Sequence, residues 1–201
     1  GAFFITVHGR AAHAGMEPHL GASAILSAAK LTTAISALAD PSQHTSVNIG
    51  KILGGERRNI VADHCKLEVD VRVRSASEAT RVEAALRALC DDLAVEGTSA
   101  EIFGRMSRPP WQRTAASDRL AKHFQDVAGE LGIQLDAEDT GGGADTNFAG
   151  SLGIPTIDGL GPVGQGAHTH HERIQLHTLI TRAKLCAIAL LRWKRPDRAQ
   201  A

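Results

Sequence analysis

The chain has 201 residues, 43% of them hydrophobic, and its 22 Lys and Arg residues balance 22 Asp and Glu residues, so the formal net charge is zero. That is enough apolar material for one large core or two small ones. A balanced charge without long single-sign runs excludes the electrostatic footprint of a nucleic-acid or anionic-membrane binder, which leaves small molecules and other protein chains as the expected partners.

Residues 3–8 are rich in β-formers and read as a strand entering a turn at Gly9, Arg10, Ala11 and Ala12. A helix is expected over about 18–38, with Glu17 and Pro18 in its candidate first turn and Asp40 and Pro41 as its stop. Residues 45–53 and 65–74 are strand-like, and the second alternates cleanly: Leu67, Val69, Val71 and Val73 share one face, and Glu68, Asp70, Arg72 and Arg74 share the other. Residues 77–95 carry helical spacing in Ala79, Val82, Leu86, Leu89 and Leu93 behind a candidate cap at Ser77, and residues 100–103 supply a last strand. The order β-α-β-β-α-β predicts a ferredoxin-like α/β unit over residues 1–109.

Arg108, Pro109, Pro110 and Trp111 form the boundary, because consecutive prolines continue neither a ladder nor a helix. In the second region, 110–201, helices are expected over about 117–131 and 176–192, a short helix near Thr146, and a buried strand over 154–157. So few strands cannot complete a doubly wound sheet, so this region reads as an incomplete portion of a larger α/β domain. No apolar stretch approaches the ~20 residues of a membrane span. The N-terminal GAFFITVHGR has neither a basic start nor a small-residue cleavage site, so a cytoplasmic protein is expected and the first residue looks like a fragment boundary.

Several motifs allow two readings. Gly159 to Gly164 spells GxGxxG after the expected strand, but Pro162 within it and Gly164, Gly166 and His168 beyond it make a loop rather than the opening of a nucleotide-binding helix. His168, His170, His171 and Glu172 are good zinc-ligand types at a spacing that specifies no complete site, so the segment is either a source of one or two ligands or a solvated loop. His13 lies in a turn where it can polarise a carbonyl or cap a helix. Asn59, beside Arg57 and Arg58, suits a carboxylate or plain solvation, and Asp145 suits a metal or the cap of the helix at Thr146. Cys65, Cys90 and Cys186, without a CxxC pair, read as ordinary thiols.

Six segments in order, GRAAHAGMEP at 9–18, GGERRNIVAD at 54–63, VDVRVR at 69–74, GGGADTNF at 141–148, IPTIDGLG at 154–161 and GAHTHHE at 166–172, resemble the glutamate carboxypeptidase, acetylornithine deacetylase and aminoacylase family of zinc amidohydrolases, in particular its carboxypeptidase G-like branch. The resemblance implies a dimerisation lid inserted into a catalytic domain that binds two zinc ions, with a peptide or N-acyl amino acid as substrate and a homodimer formed through the lid. It implies that His168 is a zinc ligand and that His13 reaches the partner's active site to polarise the scissile carbonyl. It further implies that Asn59 holds the substrate carboxylate together with Gly142 and Gly143, with Arg72 and Arg108 assisting. No segment matches the family's N-terminal catalytic half, which carries the remaining ligands and the glutamate base. The chain is therefore expected to be a fragment, the lid plus the C-terminal part of the catalytic domain, inactive alone. The alternative is a non-catalytic dimerisation module.

Overall fold

The computed structural model describes residues 1–194. They separate into two units, one of residues 1–111 with 141–143 and one of 112–140 with the residues from 144 onward.

The first unit runs β1 (Ala2–His8), α1 (Ala24–Ser36), β2 (Ser46–Gly54), β3 (His64–Arg72), α2 (Ala76–Asp91) and β4 (Ser99–Arg105). The four strands form an antiparallel sheet in the order β2-β3-β1-β4, the ferredoxin-like arrangement expected from the sequence. Alternation decides which face is buried. Phe3, Ile5 and Val7 of β1 and Leu67, Val69 and Val71 of β3 point to one side, where Leu31 and Ile35 of α1 and Val82 and Leu86 of α2 close over them. Each such side chain contributes about 1.5–3 kcal/mol on leaving water. The opposite face carries Phe4, His8, Glu68, Asp70, Arg72 and Phe103 and stays open.

The expected helix over 18–38 is corrected at its start. Residues 18–20 make only a 3-10 turn, and α1 begins after Ser23, whose hydroxyl accepts from Leu26 N at 3.2 Å. Tertiary pairing overrides the helical pattern between them: Arg10 and Ala22 exchange two backbone hydrogen bonds of 2.9 Å, and Gly21 lies so close to Val61 that a Cβ would sit 2.8 Å from that side chain. Helix α2 is likewise capped by Ser75, which accepts from Glu78 N at 3.2 Å, rather than by Ser77.

The second unit holds α3 (Ala115–Glu130), α4 (Thr146–Ser151), the two-residue strands β5 (Gly164–Gln165) and β6 (Arg173–Ile174), and α5 (Leu176–Arg192). Phe124, Val127 and Ala128 of α3 pack on Leu185 and Ala189 of α5. The strand expected over 154–157 is not formed. Those residues run as an irregular segment in which Thr156 is buried and Ile154 is 52% exposed, because no neighbouring strand among the described residues offers a ladder to their N–H and C=O groups. Asp145 does not cap α4 through its side chain; Asn147 Oδ1 takes the N–H of Ala144 at 3.0 Å instead. No helix among the described residues is long and apolar enough to cross a membrane.

Candidate functional site

At one end of the sheet the turn after β1 pairs with the segment before β3. Gly9 N donates to Asp63 O at 2.7 Å, Val61 N to Ala12 O at 2.9 Å and Ala14 N to Asn59 O at 3.0 Å, so His13 and Asn59 lie side by side on one exposed corner. Gly9 permits the close approach, since a Cβ there would stand 2.1 Å from Ala22 O. The His13 ring is held from behind, with Nδ1 accepting from Gly15 N at 3.2 Å and Met16 N at 3.1 Å. The neutral ring thus carries its proton on Nε2, and that nitrogen remains as a hydrogen-bond donor. The Asn59 side-chain amide has no partner among the described residues and is exposed. This corner can present two neutral donors to a carbonyl or carboxylate oxygen.

The other end of β3 carries a second cluster. Arg72 donates from Nε to Asp70 Oδ2 at 2.8 Å and from Nη1 to Gly141 O at 3.0 Å. Gly143 lies over Arg108, whose Cδ would be 3.8 Å from a Cβ built on that glycine. Arg72, Arg108, Gly142 and Gly143 thus share one neighbourhood, with two arginine side chains beside a glycine-rich backbone. This is the arrangement that suits an anion.

The seven residues singled out in the sequence therefore divide between places. His13 and Asn59 sit by the His64 end of β3, and the Arg72 cluster sits by its Arg72 end, a nine-residue strand apart. At about 3.3 Å per residue that is roughly 26 Å. Asn59 and the Gly142–Gly143 segment of one chain do not meet.

His168 belongs to the second unit, in the turn between β5 and β6. Thr169 organises this turn: its hydroxyl donates to Gly166 O at 2.7 Å and accepts from His171 N at 3.2 Å, and its carbonyl accepts from Glu172 N at 3.2 Å. His168 is held at φ 64°, a left-handed conformation that costs a non-glycine residue about 1–3 kcal/mol and that gathers at ligand sites. Among the described residues no group of three or more His, Cys, Asp or Glu side chains is arranged to hold a metal ion. The donor set present, one strained imidazole with exposed neighbours, does not fit a complete zinc site. Cys65 and Cys90 offer no nucleophile either: burial pushes the Cys65 thiol up and the Cys90 thiol up to about 11.

Sequence reasoning missed Asp70. Its signal was present in the alternation of β3, which sets Asp70 and Arg72 two apart on the same open face.

Residues 1–98 match the family model of the peptidase dimerisation domain. The YqjE protein of Bacillus subtilis (strain 168) is 27% identical over 183 residues, 89% of this chain and 48% of its own length. Carboxypeptidase G2 of Pseudomonas sp. (strain RS-16) is 25% identical over 169 residues, 82% of this chain and 40% of its own. A crystal structure of a tripeptidase from Staphylococcus aureus superposes with a TM-score of 0.71 at 29% identity, covering 94% of this chain and 49% of that one. The dimerisation-domain match over residues 1–98 and these relatives support the M20 family of peptidases and amidohydrolases, which is generally metal-dependent, as the six ordered segments indicated. The chain spans about half the length, or less, of these relatives.

Proposed function

We propose that residues 1–109 are the dimerisation lid, and residues 110–201 the C-terminal part of the catalytic domain, of a zinc-dependent hydrolase that cleaves an amide bond to an amino acid with a free carboxylate. Peptides and N-acyl amino acids are the substrate class. The observation that carries this reading is the separation along β3. Both clusters are built for carbonyl or carboxylate oxygen, yet they stand roughly 26 Å apart in one chain, too far for one small substrate to touch both. A homodimer resolves this, with each site combining the Arg72 cluster of one subunit and the His13–Asn59 corner of its partner.

In such a site Gly142, Gly143, Arg72 and Arg108 receive the substrate carboxylate on one subunit, and Asn59 of the other adds its amide. His13 donates Nε2–H to the scissile carbonyl oxygen, whose negative charge grows as the carbon becomes tetrahedral. A donor aimed at that oxygen is worth about 100- to 1,000-fold in rate. The two backbone N–H groups on Nδ1 keep the ring in the required tautomer. His168 offers one imidazole to zinc, whose remaining ligands come from the rest of the whole protein.

The test is hydrolysis of N-acyl amino acids and of their C-terminal amides by the whole protein, before and after chelation. Chelator-sensitive cleavage of the free acids, with the amides much poorer and with His168→Ala lowering zinc content, supports the assignment. Absence of cleavage from a zinc-loaded dimer contradicts it and favours the dimerisation module.

A further inference from the structure

We infer that Asp70 is a positioning residue, the fixed end of a strap that runs from Asp70 through Arg72 to the Gly141 carbonyl and sets the orientation of the glycine segment. Asp70 and Arg72 project from the same open face of β3, two residues apart, so their pairing costs no backbone distortion. The carboxylate holds the guanidinium by Nε at 2.8 Å, and the guanidinium then holds Gly141 O by Nη1 at 3.0 Å.

Each link has a chemical consequence. A lone arginine on an open strand samples many rotamers. Pinned at Nε by a charge-assisted bond, its planar fork is restricted to one plane. Nη1 is occupied by Gly141, and Nη2 has no partner among the described residues. On the loop side, a trans peptide turns its C=O and N–H in opposite directions, so anchoring the Gly141 carbonyl fixes the direction of the Gly142 N–H. Glycines at 141, 142 and 143 have little conformational preference of their own, so a bond to the Gly141 carbonyl restricts a backbone that would otherwise sample widely. Asp70 therefore acts twice at a distance: it aims Nη2 of Arg72, and it orients the Gly142 amide. Its negative charge also offsets part of the Arg72 charge, so this corner recognises a carboxylate by aimed donors more than by bare attraction.

That the oriented group meets a substrate carboxylate rests on the proposed function. The strap itself does not, and the experiment separates the two. Backbone 15N order parameters of residues 141–143 are measured in the 201-residue chain for the unaltered protein, for Asp70→Asn, and for Glu68→Gln. Glu68 pairs with Lys51 on the same face at 3.1 Å and is the control. The strap predicts order at 141–143 falling from the rigid-backbone range of about 0.85 towards about 0.6 in Asp70→Asn, and unchanged in Glu68→Gln. In the whole enzyme, Asp70→Asn then raises KM for free-acid substrates severalfold while kcat and the KM of C-terminal amides hold, and Asp70→Glu restores part of the loss. Unchanged order in Asp70→Asn overturns the inference. Lower order with KM unaltered for free acids leaves the strap standing and overturns the carboxylate reading of this cluster instead.

Discussion

Thr45 donates its hydroxyl to Glu78 Oε2 at 2.6 Å, which ties the residue before β2 to the first turn of α2. Arg81 completes the arrangement with Nε to Oε1 and Nη2 to Oε2, both 2.8 Å, while Nη2 also reaches Leu38 O at 3.0 Å. The bonds from Arg81 and then Thr45 hold the Glu78 carboxyl at about 2 against an ordinary 4.5. A depressed carboxyl stabilises the fold above its unfolded value and loses that contribution as pH falls from about 4.5 to about 2. Glu78→Gln is expected to lower the melting temperature at pH 7, with the difference from the unaltered chain shrinking below pH 4.5 and vanishing near pH 2. Thermal melts of both across that range check it.

Gly9 is the position where a single methyl group should dislodge the His13 corner. A Cβ there would meet Ala22 O at 2.1 Å, a backbone atom that already accepts from Arg10 N, so the chain must give way. Gly9→Ala is expected to accelerate amide exchange through residues 10–17 and to lower kcat of the whole enzyme, while the far end of β3 keeps its protection. Exchange mass spectrometry on the chain and steady-state kinetics on the whole enzyme give both readouts.

Much of this was legible in the sequence, and the limits have physical causes. The alternation in β3 and the helical spacing of Val82 and Leu86 report burial directly, and burial by a sheet face is what the ferredoxin-like order requires. The start of α1 was not legible, because Gly21 and Ala22 are held extended by Val61 and Arg10, partners distant in sequence. The segment at 154–157 has the composition of a buried strand, but a strand exists only with a neighbour, and composition cannot report one. At the site, the residue types were visible, yet the division of His13 and Asn59 from Arg72, Arg108 and the glycines depends on which end of a nine-residue strand each occupies.

The first unit exposes apolar side chains where a partner is expected. Strand β2 is a sheet edge with Ile52 49% and Leu53 56% exposed, and Ile25 and Leu26 of α1 are 42% and 51% exposed. An edge of unpaired backbone groups beside such side chains calls for cover. The chain is expected to sediment as a dimer at micromolar concentration, and Leu53→Asp to shift it to monomer without loss of helical signal. A monomer in the unaltered chain would contradict the homodimer.

The central claim is that His13 serves the active site of the opposite subunit, and mixing two inactive forms of the whole enzyme tests it most directly. One subunit carries His13→Ala and keeps its own zinc site; the other carries His168→Ala and keeps His13. Each homodimer is inactive for a different reason. The heterodimer is predicted to regain one working site, in which the intact His13 reaches the intact zinc site across the interface. Heterodimers that form, as shown by differential tagging, yet remain as inactive as either parent would contradict the account.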